Sequence, residues 1–73
     1  MKIFVERFKL LRKQHNLTQK QLAKNLGMVE RNIRSYEINE KLPSLESIVK
    51  IADYFDVSLD YLTGRKDSPE MQR

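Results

Sequence analysis

No cysteine occurs in the 73 residues, which excludes disulfides, thiolate metal sites and a cysteine nucleophile. Histidine occurs once and tryptophan not at all, so there are too few imidazoles to build a zinc site. Glycine and proline occur twice each against 40% hydrophobic residues, a balance that excludes disordered and fibrous chains and leaves a folded globular one. No run approaches the roughly 18 apolar residues of a membrane-spanning helix. The N-terminal stretch Met1 to Leu11 carries Glu6 inside a short, interrupted apolar segment, unlike a signal peptide. A cytoplasmic protein is expected.

What the chain does have is basic charge, unevenly placed. Fourteen Lys and Arg against ten Asp and Glu give +4 overall. Residues 1–41 hold ten basic and four acidic side chains, +6, whereas residues 42–73 hold four basic and six acidic ones, −2. A polyanion would dock on the first part. A chain of this length forms one small domain that buries only roughly 60% of its unfolded surface, leaving little room for an enclosed substrate cavity. A binding module without enzymatic activity or cofactor is expected.

Helical periodicity runs throughout, without strand-like alternation, so the fold class is all-α. Phe4, Phe8 and Leu11 recur at i, i+4 and i+7, predicting an amphipathic first helix from Phe4 to about Gln14, with Lys9, Arg12 and Lys13 off its apolar stripe. Such a basic helix could lie on a membrane, but other apolar helices are present to receive the stripe. Thr18 and Gln21 form a capping box opening a second helix, with Leu22, Ala23 and Leu26 inward and Gly27 suited to a left-handed stop. Val29, Ile33 and Tyr36 predict the buried stripe of a third helix, which Asn39 can end in a left-handed turn. Ser44 is placed to cap a fourth helix with Leu45, Ile48, Ile51, Ala52 and Phe55 inward and Glu46 in its first turn; Ser58 caps a fifth, holding Leu59 and Leu62 and ending at Gly64. Residues 1–64 are read as one domain and 65–73 as a polar, frayed tail.

Two short helices joined by a tight turn at Gly27, in a small basic α domain, describe a helix-turn-helix unit. At 100° per residue, Arg31 points almost directly away from the stripe of helix 3, Arg34 and Ser35 flank it, and Glu30 and Asn32 lie at the sides. This face offers side chains able to hydrogen-bond base edges or phosphates, not the apolar anchors of a protein-binding groove. Tyr36 falls on the stripe and reads as a core aromatic, and His15 as an ordinary exposed residue. Asp53, Asp56 and Asp60 span the end of one helix and the start of the next, a spacing that suits capping better than metal binding.

The segments Thr18-Gln19-Lys20-Gln21-Leu22-Ala23, Leu26-Gly27, Ile33-Arg34-Ser35-Tyr36-Glu37, Pro43-Ser44-Leu45 and Val57-Ser58-Leu59-Asp60-Tyr61-Leu62, in this order and spacing, resemble the lambda-repressor-like (Cro/Xre) class of helix-turn-helix regulators over roughly residues 5–64. The resemblance implies a five-helix bundle binding DNA as a homodimer, with helix 3 in the major groove. Carried over by position, it implies base reading by Glu30, Arg31 and Ser35, with Arg34 a frequent addition. Phosphate contacts fall on Gln19, Asn32 and Lys41, and a structural ion pair on Arg12 and Glu37. Val29 stands where the family usually has Ser or Thr, so helix 3 lacks an ordinary capping oxygen; Asn39 stands where Gly is common. The expected function is a sequence-specific double-stranded DNA-binding regulator, a repressor acting on a pseudo-palindromic operator. The alternative is an antitoxin-like module that uses the fold to hold a protein partner. Tyr54 and Tyr61, at the edge of the core stripes, are the expected dimer contacts, and no small-molecule ligand is expected.

Overall fold

The computed structural model of the chain describes residues 2–70. Among these, the order is α1 (Lys2–Gln14), α2 (Gln19–Leu26), α3 (Glu30–Glu37), α4 (Leu45–Phe55) and α5 (Leu59–Thr63), with no strand. The five-helix, all-α reading of the sequence holds, with α1 starting two residues earlier than its apolar stripe indicated. No helix among the described residues is long and apolar enough to cross a membrane.

Hydroxyl caps start three of the helices. The Thr18 oxygen accepts from the Gln21 backbone N–H at 3.0 Å, while the Gln21 side chain accepts from the Thr18 backbone N–H at 2.9 Å. Ser44 accepts from Ser47 N–H and Ser58 from Tyr61 N–H. At their other ends all five helices share one device: a residue with φ between 55° and 86°, namely Asn16, Gly27, Asn39, Asp56 or Gly64. The N–H of the following residue returns to a carbonyl five positions back: Leu17 to Arg12, Met28 to Ala23, Glu40 to Ser35, Val57 to Ala52 and Arg65 to Asp60. This left-handed closure satisfies carbonyls that the helix leaves unpaired and reverses the chain within two residues. Five helices thereby fit into a short chain.

α1 packs on α3 and α5, α2 on α3 and α4, and α4 on α5. The centre is aromatic: Phe4 and Phe8 stack with centroids 5.3 Å apart, and Tyr36 meets both edge-on at 6.3 and 6.2 Å. Leu22, Ile33, Ile51 and Leu62 are fully buried around it.

Three stripe positions do not reach this core. Val29 is 62% exposed because it is the capping residue of α3, with extended φ −84° and ψ 147°; the helical wheel does not apply one residue outside the helix. Leu45 is 76% exposed, since it occupies the first position of α4, a turn before Ile48, where burial of that helix begins. Leu59 is also exposed, at the corresponding first position of α5. Val5 and Val57, absent from the expected stripes, are buried instead.

The described part of the polar stretch from Arg65 makes contacts with the bundle. Arg7 Nη1 donates to the carbonyls of Tyr61 and Lys66, its guanidinium lies 4.3 Å from the centroid of the Tyr61 ring, and Ser58 N–H donates to the Pro69 carbonyl at 3.0 Å. Residues 71–73 of the expected tail lie outside the described residues.

Candidate nucleic-acid interface

The α2–α3 turn is built around Gly27, whose φ of 69° a side chain would strain. Met28 is half-buried against the core, and α3 follows at an angle fixed by burial of Ile33 and Tyr36. Geometry then sorts its side chains. Glu30, Arg31 and Arg34 are exposed, while Asn32 and Ser35 are half-buried at the flanks. Ion pairs of the described residues involve Arg7, Arg12, Arg65 and Lys66; Arg31 and Arg34 are in none of them.

Beneath this face lies a charged cluster of three elements. The Arg12 guanidinium of α1 grips Glu37 at the end of α3 through two hydrogen bonds, Nε to Oε2 at 2.6 Å and Nη2 to Oε1 at 3.0 Å. Its Nη1 donates to the Leu17 carbonyl at 2.8 Å. The side chains are 14% and 4% exposed, so the pair is largely desolvated. The hydrogen bonds to Glu37 raise the Arg12 pKa above its ordinary value; burial opposes this and the Coulomb attraction adds to it. Glu37 is the one buried charged residue among those described, and no buried side-chain polar atom among them lacks a partner.

Gln19 at the first position of α2 joins this cluster, its Nε2 donating to Glu37 Oε1 at 3.2 Å. One carboxylate thereby receives both the cation of α1 and the amide of α2. Asn32 and Lys41 come together as well, Lys41 Nζ donating to Asn32 Oδ1 at 3.4 Å. The residues expected at a DNA backbone thus form two small groups around the α2–α3 unit, and those expected at bases lie on α3. Sequence reasoning did not find the link from Gln19 to Glu37, because 18 positions of separation leave no periodic signal. It also placed Val29 inward, although the missing capping oxygen already marked that residue as the helix boundary.

The tyrosines expected at a dimer contact are both engaged within the chain. Tyr54 is 37% exposed, and its hydroxyl accepts from Asn25 Nδ2 at 2.9 Å; Tyr61 is half-buried under Arg7. On α4, α5 and the link between them, Val49, Val57 and Leu59 line a cleft of about 410 Å³ together with Asp53 and Asp60. Asp60 pairs with Arg65 and Lys66 at 3.8 and 3.9 Å, and Asp56 serves as the left-handed stop of α4.

The sequence model of the helix-turn-helix family matches residues 8–62. The cryptic phage CTXphi transcriptional repressor RstR of Vibrio cholerae is 42% identical over 67 residues, 92% of this chain and 60% of RstR. The HTH-type transcriptional regulator YobD of Bacillus subtilis is 38% identical over 68 residues, 93% of this chain and 61% of YobD. The antitoxin HipB of Escherichia coli is 34% identical over 62 residues, 85% of this chain and 66% of HipB. The chain spans about three fifths of the length of the first two relatives.

Proposed function

Because the chain belongs to the Cro/Xre-type helix-turn-helix family of transcriptional regulators, whose members act by binding DNA and not as enzymes, we propose that it is a sequence-specific repressor that reads an operator through α3. The observation that carries this reading is the division of α3 into a buried face of Ile33 and Tyr36 and an outer face of Arg31, Arg34 and Glu30. Arg31 donates two hydrogen bonds to guanine O6 and N7, Glu30 accepts from cytosine N4, and Arg34 and Ser35 extend the contact. Gln19, Asn32 and Lys41 hold phosphates on either side and set the register. The Arg12–Glu37 pair fixes the angle between α1 and α3 at which this occurs. The protein acts in the cytoplasm, with double-stranded DNA as its partner.

A second copy completes the site. One α3 spans only a few base pairs, so two are needed for a specific operator, with half-site centres about one helical turn, roughly 34 Å, apart. We place the self-contact on the α4–α5 side, where Val49 and Leu59 line the cleft and Tyr54 and Tyr61 follow its lining residues Asp53 and Asp60 in the chain. The net charge of that part of the chain is −2 against +6 for the DNA-binding part, which keeps the two surfaces apart. Selection from a random DNA pool, followed by sedimentation of the free and bound protein, tests both statements. A pseudo-palindrome bound by two copies is the expected result, and monomers in both states refute the dimer.

The name of the relative HipB favours a second reading, in which the fold serves an antitoxin that holds a protein partner. Salt separates the two. Phosphate binding releases counterions, so DNA affinity should fall steeply as salt rises, with a slope of about −0.9 per phosphate neutralised. Flat salt dependence of weak, unselective DNA binding would favour the protein-holding module.

A further inference from the structure

Val29 is an unexplained apolar side chain at the head of the reading helix. It is 62% exposed, it caps α3 without any side-chain hydrogen bond, and it is followed directly by the exposed Glu30 and Arg31. A hydroxyl residue here would serve the helix better, because the first N–H groups of α3 need an acceptor. Valine supplies none, and its methyl groups face solvent. In the major groove the one apolar feature on the base edges is the C5-methyl group of thymine.

We propose that Val29 is a specificity-determining residue that packs its methyl groups against the C5-methyl of a thymine beside the base pair read by Glu30 and Arg31. The inference rests on the reading of α3 as the DNA-contacting helix and adds to it a base preference that hydrogen-bonding side chains cannot supply. Adenine, guanine and cytosine offer no methyl in the groove, so each half-site gains a required T·A pair in addition to its G·C pair. The missing capping bond is then the cost of keeping an apolar contact at this position.

The probe is the DNA sequence selected by the protein from a random pool, synthesised again with deoxyuridine replacing each thymidine in turn. Deoxyuridine pairs as thymidine does and lacks only the methyl group. At one thymine per half-site the substitution should weaken wild-type binding by about fourfold, the effect of burying a single methyl-sized group. Val29→Ser should lose a similar factor on the thymidine-containing DNA and show no further loss on the deoxyuridine DNA. The same variant should melt a few degrees higher than wild type, because serine supplies the capping oxygen. Affinity and stability thus move in opposite directions, which a merely structural role would not produce. Equal wild-type binding to every deoxyuridine probe, a selected half-site with no thymine, or an undiminished methyl effect in Val29→Ser would each overturn the proposal while leaving the regulator reading intact. Failure to select any sequence would overturn both.

Discussion

Replacing Glu37 with alanine removes the carboxylate on which three elements converge, and the cost can be worked from the local geometry. The Arg12 side chain is only 14% exposed, so it keeps its charge but loses two charge-assisted hydrogen bonds of 2.6 and 3.0 Å. The Leu17 carbonyl remains as an acceptor for Nη1, and Gln19 Nε2 loses its partner. Breaking a buried pair by removing one member costs about 3–5 kcal/mol. The retained carbonyl and the residual water access of Arg12 put this site at the lower end, about 3 kcal/mol. A chain of this length has a total stability of about 4–11 kcal/mol, so the loss is a large share of it. The melting temperature should fall by about 12–24 °C.

The informative experiment is a thermal double-mutant cycle. Arg12→Ala and Glu37→Ala should each be destabilising, and the double variant should lose clearly less than their sum. Arg12→Met with Glu37→Leu should recover most of the loss, since apolar packing carries no unpaired charge. The sign of the Arg12 shift adds a pH condition. A cation whose folded pKa is raised contributes its full stabilisation below its unfolded pKa and loses it only as pH rises through the folded value. Because arginine starts from so high a value, the Arg12 contribution should stay constant from about pH 7 to about pH 10. Strictly additive single variants, or a loss under 1 kcal/mol for Glu37→Ala, would refute the assignment of a desolvated clamp.

Arg31→Ala should weaken the selected operator by about 1–3 kcal/mol and relax one G·C position in a repeated selection, whereas Gln19→Ala and Lys41→Ala should weaken all sequences alike. Lys41→Ala should also lower the salt slope by about one, and Gln19→Ala, which removes no charge, should leave that slope unchanged. Gly64→Ala should destabilise by more than about 1 kcal/mol, because φ is +86° and the added Cβ would stand 2.9 Å from Ile3 Cγ2. Conversely, Asn16→Gly at φ 55° should raise stability by up to about 1 kcal/mol in denaturant titration.

Much of the fold was legible because its signals are local. Thr18, Ser44 and Ser58 mark helix starts by side-chain chemistry that acts within three residues, and Gly27 and Gly64 mark ends by a backbone conformation that glycine adopts freely. The outward direction of Arg31 followed from the period of the helix alone, since burial of Ile33 and Tyr36 fixes its rotation. The stops at Asn16 and Asp56 were harder to read, because Asn and Asp also occupy ordinary turns and surface positions. The fate of Leu45 was decided by tertiary structure, because an apolar residue at the first turn is buried only if a neighbouring element extends past the helix end; Val29 faces outward for a local reason, as the capping residue outside α3. The joining of Arg12, Glu37 and Gln19, and the return of Lys66 onto Arg7, likewise belong to the folded chain. These contacts link positions 18 to 59 residues apart, where no periodicity connects them. Helix ends and helix faces were therefore written in the sequence, and packing determined which charges share one carboxylate and which apolar side chain is left facing outward at the head of α4.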